Sequence, residues 1–248
     1  MTTRSFTRRG ALAVGAAALA APAIIGRIAP AAAKAPMLGA APAAFHRFKL
    51  GAFEVTAVRD GAIQLDGPHP IFGMDQPAEA VEAYAAANNL PPKRMEISFT
   101  PFIVNTGAEL VLFDTGNGDG RRPNAGLLKT VIAAAGYTPE QVDLVVISHF
   151  HPDHIGGLME DGKPLCPNAR YAANAVEYDF WSPADKLSGG TERVAKLTQS
   201  NIVPVAPKMT MLKAGDSVVS GIDAVAAAGH TPGHTAYHLE SEGKRLLF

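Results

Sequence analysis

A single cysteine, Cys166, excludes any disulfide within the chain. It lies in "KPLCPNARY", far along the chain from the histidine-rich stretches, and reads as a small core residue rather than a metal ligand. Acidic residues are missing altogether from positions 1–33, which hold Arg4, Arg8, Arg9 and Arg27. Without those four, the 22 Lys and Arg fall to 18 against 23 Asp and Glu, a net charge of −5. That acidic balance, with no basic patch interleaved with aromatics, excludes a nucleic-acid surface built on charge. Charged residues are sparse at 18% and apolar ones reach 47%, which excludes a disordered chain and fits one α/β domain with a large core.

The N-terminus reads as an export signal over 1–33. Arg8 and Arg9 precede the Ala-rich run 10–25, and Ala31, Ala32 and Ala33 suit a small-residue cleavage site. The run is too short for a bilayer span, is broken by Pro22 and is followed by Arg27, so no stable membrane insertion is expected once it is removed. "TRRGALA" resembles a twin-arginine signal, although it lacks the usual Phe after the pair and one further position. The expected location is therefore periplasmic or secreted. A Pro/Ala-rich linker over 34–45 leads into a domain over 46–248.

Alternating apolar residues in "FKLGAFEVTAVRDG" (48–61) predict one strand ending in an Asp-Gly turn, with a second near Ile63–Leu65. "PAEAVEAYAAAN" (77–88) predicts a helix. "EISFTPFIVNTG" and "ELVLFDTG" predict two strands joined near Thr106–Ala108, and "NAGLLKTVIAAAG" (124–136) a helix stopped by Gly. "QVDLVVIS" (141–148) is a short continuous apolar run, the mark of a strand buried on both faces. "NARYAANAVEYDFW" reads as strand then helix, and 191–200 as a further helix. Strands are expected around 202–205, 209–212, 222–227 and 236–240, with a last one from Lys244.

Where the buried run ends, "ISHFHPDHIGGL" packs His149, His151, Asp153 and His154 into six positions. Without a metal, such a cluster suffers mutual repulsion and desolvation. Alternate residues of an extended segment face one side, so His149 and His151 can converge on one ion. Pro152 forces a turn, and Asp153 with His154 then serves a second ion. Imidazole and carboxylate suit zinc first, with Mn, Fe or Co as alternatives. Two ligands per ion are too few, and "AAGHTPGHTAYH" offers His230, His234 and His238 as further candidates. His238, within a strand, reads as structural; His46 and His69 have no partners in the sequence.

These two motifs, in this order, resemble the metallo-β-lactamase superfamily. The segments "LGAFEVTAVRDG", "VNTGAELVLFDTG", "AAGYTPEQVDLVVISHFHPDHIGGL" and "GHTPGHTAYHLES" are similar to the methyl parathion hydrolase and quorum-quenching lactonase group. The resemblance implies a four-layer αβ/βα sandwich with two metals between the edges of two sheets. It implies His149, His151 and His234 as ligands of the first ion, and Asp153 and His154 as ligands of the second. Asp153 also becomes a catalytic proton carrier. It places Asp114 and His230 behind the ligands. Trp181 is a candidate pocket wall, read from "YDFW".

The implied activity is hydrolysis of an ester, lactone or phosphotriester by a metal-bridging hydroxide. A metallo-β-lactamase proper or a glyoxalase II-like thioesterase is the alternative, and a metal-binding protein without catalysis is the non-enzyme reading. The expected partner is a small-molecule substrate, with a homodimer left open. Relatives carry a bridging aspartate just past the strand that here ends "KRLLF", and a last histidine beyond it. The expectation is therefore a chain truncated at its C-terminus and impaired in turnover.

Overall fold

A computed structural model describes residues 41–248. The expected export signal and positions 34–40 of the linker lie outside the described residues. Regular structure begins at Phe45, with strands β1 (Phe45–Leu50), β2 (Phe53–Val58), β3 (Gly61–Leu65) and β4 (Met95–Phe99). β5 (Phe102–Asn105), β6 (Leu110–Phe113), β7 (Leu144–Val146), the short β8 (Met159–Glu160) and β9 (Lys163–Pro164), and β10 (Arg170–Asn174) follow. The last strands are β11 (Met209–Leu212), β12 (Ser217–Val219), β13 (Ile222–Ala226), β14 (Thr235–Ser241) and β15 (Lys244–Leu247). The helices are α1 (Ala78–Ala87), α2 (Leu128–Ala134), α3 (Pro152–Ile155), α4 (Ala175–Trp181) and α5 (Glu192–Asn201).

A seven-stranded sheet runs β1-β2-β5-β6-β7-β10-β11, and a four-stranded sheet runs β12-β13-β14-β15. The buried run chosen for its continuous apolarity is β7, an interior strand of the larger sheet, parallel to β6 and β10 on either side. Its side chains alternate between two cores. Val145 joins Ile103, Leu112, Tyr171 and the apolar faces of α2, α4 and α5. Leu144 and Val146 join Phe113, Ala172, Ile222, Tyr237 and Leu239 between the two sheets. The layers therefore run helices, seven-stranded sheet, four-stranded sheet. The largest side chains in the two cores, such as Tyr171, Phe150, Phe113 and Tyr237, are fully buried, each stabilising the fold by roughly 2–3 kcal/mol of apolar transfer.

Parallel β6, β7 and β10 end at one edge of the sheet, so the segments that follow them meet there. They are Asp114–Gly118 after β6, Ser148–His154 after β7, and α4 after β10. The loop 227–234 between β13 and β14 reaches the same edge, because Thr235 N donates to Ser148 O at 3.0 Å and Asn174 Nδ2 donates to Thr235 Oγ1 at 2.9 Å.

Three sequence expectations change. The strand predicted over 48–61 is a hairpin: Gly51 takes φ 60°, where a Cβ would strike Ser241 O, and Leu50 pairs with Phe53. "EISFTPFIVN" likewise divides at Thr100-Pro101 into β4 and β5. The strand expected around 202–205 is a 3-10 helix over Val203–Lys208, because Pro204 and Pro207 cannot donate to a sheet ladder. No helix among the described residues is long and apolar enough to cross a membrane.

Candidate metal centre

The histidine segment leaves β7 extended as far as His151, and Pro152 then opens the single turn α3 that presents Asp153 and His154. Gly156 and Gly157 let this turn sit directly on the loop after β6; a Cβ on Gly156 would meet Asn117 O at 2.3 Å, and one on Gly157 Thr115 O at 2.1 Å.

His149 is buried, and its Nδ1 lies 3.1 Å from Ser148 Oγ. Ser148 Oγ has one hydrogen, which it donates to Asp114 Oδ2 at 2.7 Å. The network therefore assigns the His149 proton to Nδ1, donating to Ser148. Its Nε2 is left buried with no hydrogen-bond partner. Such an atom costs about 1–3 kcal/mol unless something accepts its lone pair. His151 and His230 stand beside it, with His151 Nδ1 2.9 Å from His230 Nε2. The three residues bring one nitrogen each within 4.8 Å of one another. Burial, then the surrounding imidazoles, pushes the His149 pKa down to about 2. Burial and His230 lower that of His151. Ring nitrogens gathered this closely fit a divalent ion, which takes their lone pairs as protons leave.

The second group forms around His154. Its Nδ1 donates to Asp114 Oδ2 at 2.7 Å, and its Nε2 lies 3.4 Å from Asp153 Oδ2. Two donors of one zinc ion, each about 2.0–2.1 Å from it in tetrahedral geometry, stand about 3.3 Å apart, so this pair has the span a shared ion needs. Burial opposes charge on His154, but Asp114 and Asp153 overcome it and raise its pKa to about 10. Burial likewise opposes charge on Asp153, yet the hydrogen bond and charge of His154 hold its carboxyl below the usual range.

The structure brings both loop histidines to the cluster, each with its ring centre 4.8 Å from that of His149. His230, expected behind the ligands, completes the trio with His149 and His151. His234, expected as a ligand, has Nδ1 3.0 Å from Ala227 O, and its ring centre is 4.8 Å from that of His149. The turn at Thr231-Pro232-Gly233, closed by His234 N donating to Thr231 O, separates the two. His238 lies within β14, opposite Asp223 and Leu247. Asp114, expected behind the ligands, is buried beneath His154 and takes φ 58° just past the end of β6. Trp181 is buried, with its ring centre 6.1 Å from that of His151 and its Nε1 donating to Glu177 Oε1. A cavity of about 680 Å3 elsewhere, lined by Phe72, Tyr84, Leu90 and Met95 among others, contains neither Trp181 nor any site histidine. Cys166 is a buried core residue, its thiol pushed up to about 12 by that burial.

The sequence reading missed Ser148 and Glu177. Ser148 joins His149, His154 and Asp114 through one hydroxyl. Its position directly before the first histidine was the available signal.

Residues 100–248 match the model of the metallo-β-lactamase superfamily. The chain belongs to this superfamily. A hydrolase of the β-lactamase superfamily, AbOPH, has a similar solved structure, with TM-score 0.73 and 28% identity over 84% of this chain and 74% of that one. AidC, a dizinc quorum-quenching lactonase, has TM-score 0.69 and 24% identity over 82% and 72% of the two chains. A quorum-quenching N-acyl homoserine lactone hydrolase has TM-score 0.58 and 18% identity over 82% and 74%. The last two likenesses speak to the fold alone. A comparison with curated protein sequences finds no match. This metallo-β-lactamase superfamily hydrolase thus carries a histidine cluster suited to divalent metal.

Proposed function

We propose that the chain is a two-metal hydrolase of an ester, lactone or phosphotriester, loaded with zinc. The observation that carries this reading is the buried, partnerless Nε2 of His149 beside the close His151–His230 pair. His149, His151 and His230 would hold the first ion, and Asp153 and His154 the second. Bound there, the ions would polarise a substrate oxygen and make water acidic enough to ionise near neutral pH.

The chain's own residues prepare this chemistry. Ser148 and Asp114 fix the tautomers of His149 and His154, so that Nε2 of each is free of its proton when an ion binds. Asp153, held well below the usual carboxylate range, is a weak base. We therefore assign it to holding metal and orienting water before any proton transfer. No serine or cysteine nucleophile is required. Trp181 stands edge-on to His151, with its ring centre 6.1 Å away.

The test is a panel on zinc-loaded protein: a p-nitrophenyl ester, an N-acyl homoserine lactone, a phosphotriester, a thioester and a β-lactam. Chelator-sensitive turnover of one of the first three, restored by zinc, supports the reading. Turnover confined to the thioester or β-lactam moves the substrate class. Tight zinc binding with no turnover of any of them supports a metal-binding protein instead.

A further inference from the structure

Glu177 is fully buried in the first turn of α4, and among the described residues no lysine or arginine pairs with it. A carboxylate removed from water is expensive unless donors replace the lost hydration. Here three do. Phe150 N donates to Oε1 at 3.0 Å, Trp181 Nε1 donates to the same oxygen at 2.8 Å, and Gly233 N donates to Oε2 at 2.8 Å. Phe150 lies between His149 and His151. Gly233 lies in the turn between His230 and His234. One side chain therefore ties together, by their backbones, the two loops that carry the first-ion histidines.

The contact is close as well as polar. A Cβ on Gly233 would meet Glu177 N at 2.2 Å, so only glycine lets the second loop lie against the helix. The helix is itself anchored to β14 through Asn174, whose Oδ1 accepts from Val176 N at 2.8 Å and whose Nδ2 reaches Thr235 Oγ1. α4 thus serves as a rigid mount, with Glu177 as its link to both loops.

We infer that Glu177 is a positioning residue for the metal centre: by accepting from Phe150 N and Gly233 N at once, it sets the separation of His149 and His151 from His230 before an ion arrives. This inference rests on the assignment of these three histidines to the first ion. Glutamine at this position offers Gly233 N a donor in place of an acceptor. Aspartate keeps the charge but is one methylene too short to reach both amides. Both changes should loosen the His230 loop.

The experiment measures zinc affinity by chelator competition, and the visible spectrum of the cobalt-substituted protein, for the wild type and five variants. Each metal-free variant is also unfolded thermally. Glu177→Gln and Glu177→Asp should each weaken the tighter ion about 10- to 100-fold and alter the cobalt bands. Val176→Ala, exposed on the same helix, should stay within about threefold, as should Leu197→Ala, which loses core packing on α5 but no bond to either loop. His230→Ala tests the ligand assignment itself. Normal affinity in both Glu177 variants with weakened His230→Ala overturns the clamp and leaves the assignment standing. Normal affinity in His230→Ala overturns the assignment. Full affinity in Glu177→Asp alone reduces Glu177 to its charge and overturns the clamp. Loss of affinity in Leu197→Ala that tracks its loss of stability overturns it too. Should the Glu177 variants not fold, amide exchange in the metal-free wild type decides: Phe150 and Gly233 should both be protected, and fast exchange at either overturns the inference.

Discussion

Asp114 Oδ2 accepts from His154 Nδ1 at 2.7 Å, across 40 positions of sequence; Asp114 directly follows β6, and His154 lies in α3, beyond the end of the adjacent parallel β7. The same carboxylate accepts from Ser148 N and Ser148 Oγ. It thus holds the peptide before His149 and the ring of His154 together. Asp114→Asn keeps a side chain that tolerates a positive φ but removes the charge. His154 should then titrate well below about 10 in the metal-free protein, as followed by NMR of the imidazole. Affinity for the second ion should fall about 10- to 100-fold, with the first ion little affected. An unchanged His154 titration would contradict the pairing.

The opposed shifts of the histidines set how metal-free stability responds to pH. His149 and His151 have folded pKa values below the unfolded one. Their contribution is complete above about pH 6.5 and is lost as pH falls, for His149 through the window toward 2, because the unfolded chain binds the protons. For His149 the loss reaches about 1.4 kcal/mol per pH unit while the two states differ by one proton. His154 acts in the other direction. Its contribution is complete below about 6.5 and disappears as pH rises toward about 10. Urea unfolding of chelator-treated protein from pH 4 to 10 should show stability falling toward both ends. Metal binding to Asp153 and His154 should release a proton at pH 7, visible as a dependence of binding heat on buffer ionisation enthalpy. Binding that releases none would contradict a protonated His154.

Asp60 anchors the loop after β6 from outside the centre. Fully buried, it accepts from Asn117 N and Nδ2, Gly126 N and Leu128 N, all within 2.8–3.1 Å. Asp60→Ala leaves these donors unmet and should cost about 3 kcal/mol or more by urea unfolding, given about 1–3 kcal/mol for each buried unsatisfied group. A cost below 1 kcal/mol, roughly that of an ordinary surface change, would show that water or relaxation replaces the carboxylate.

Export is proposed from Arg8 and Arg9. Replacing both by lysine should hold the precursor in the cytoplasm, since the pair is read as an address by a receptor. Fractionation checks it: undiminished periplasmic yield would point to another route.

Four of the site residues were legible because they are local. His149, His151, Asp153 and His154 share six positions at the end of a run whose apolarity marks a central strand. Glu177 was not legible, because its amide donors at Phe150 and Gly233 are 27 and 56 positions away. Nothing in "NAVEYDFW" distinguishes it from a solvated helix glutamate. His230 and His234 were both visible as candidates. Spacing alone does not choose between them, because both rings stand equally close to His149. The split of 48–61 at Gly51 followed the same pattern: alternation gave the strands, while one positive φ decided that there were two.

The most direct measurement is anomalous scattering at the zinc edge from crystals of the metal-loaded protein. The account expects a peak about 2.0–2.1 Å from His149 Nε2 and from one ring nitrogen each of His151 and His230, with His234 outside that shell. A peak bounded by His234 in place of His230, or no peak between these residues at saturating zinc, would contradict it.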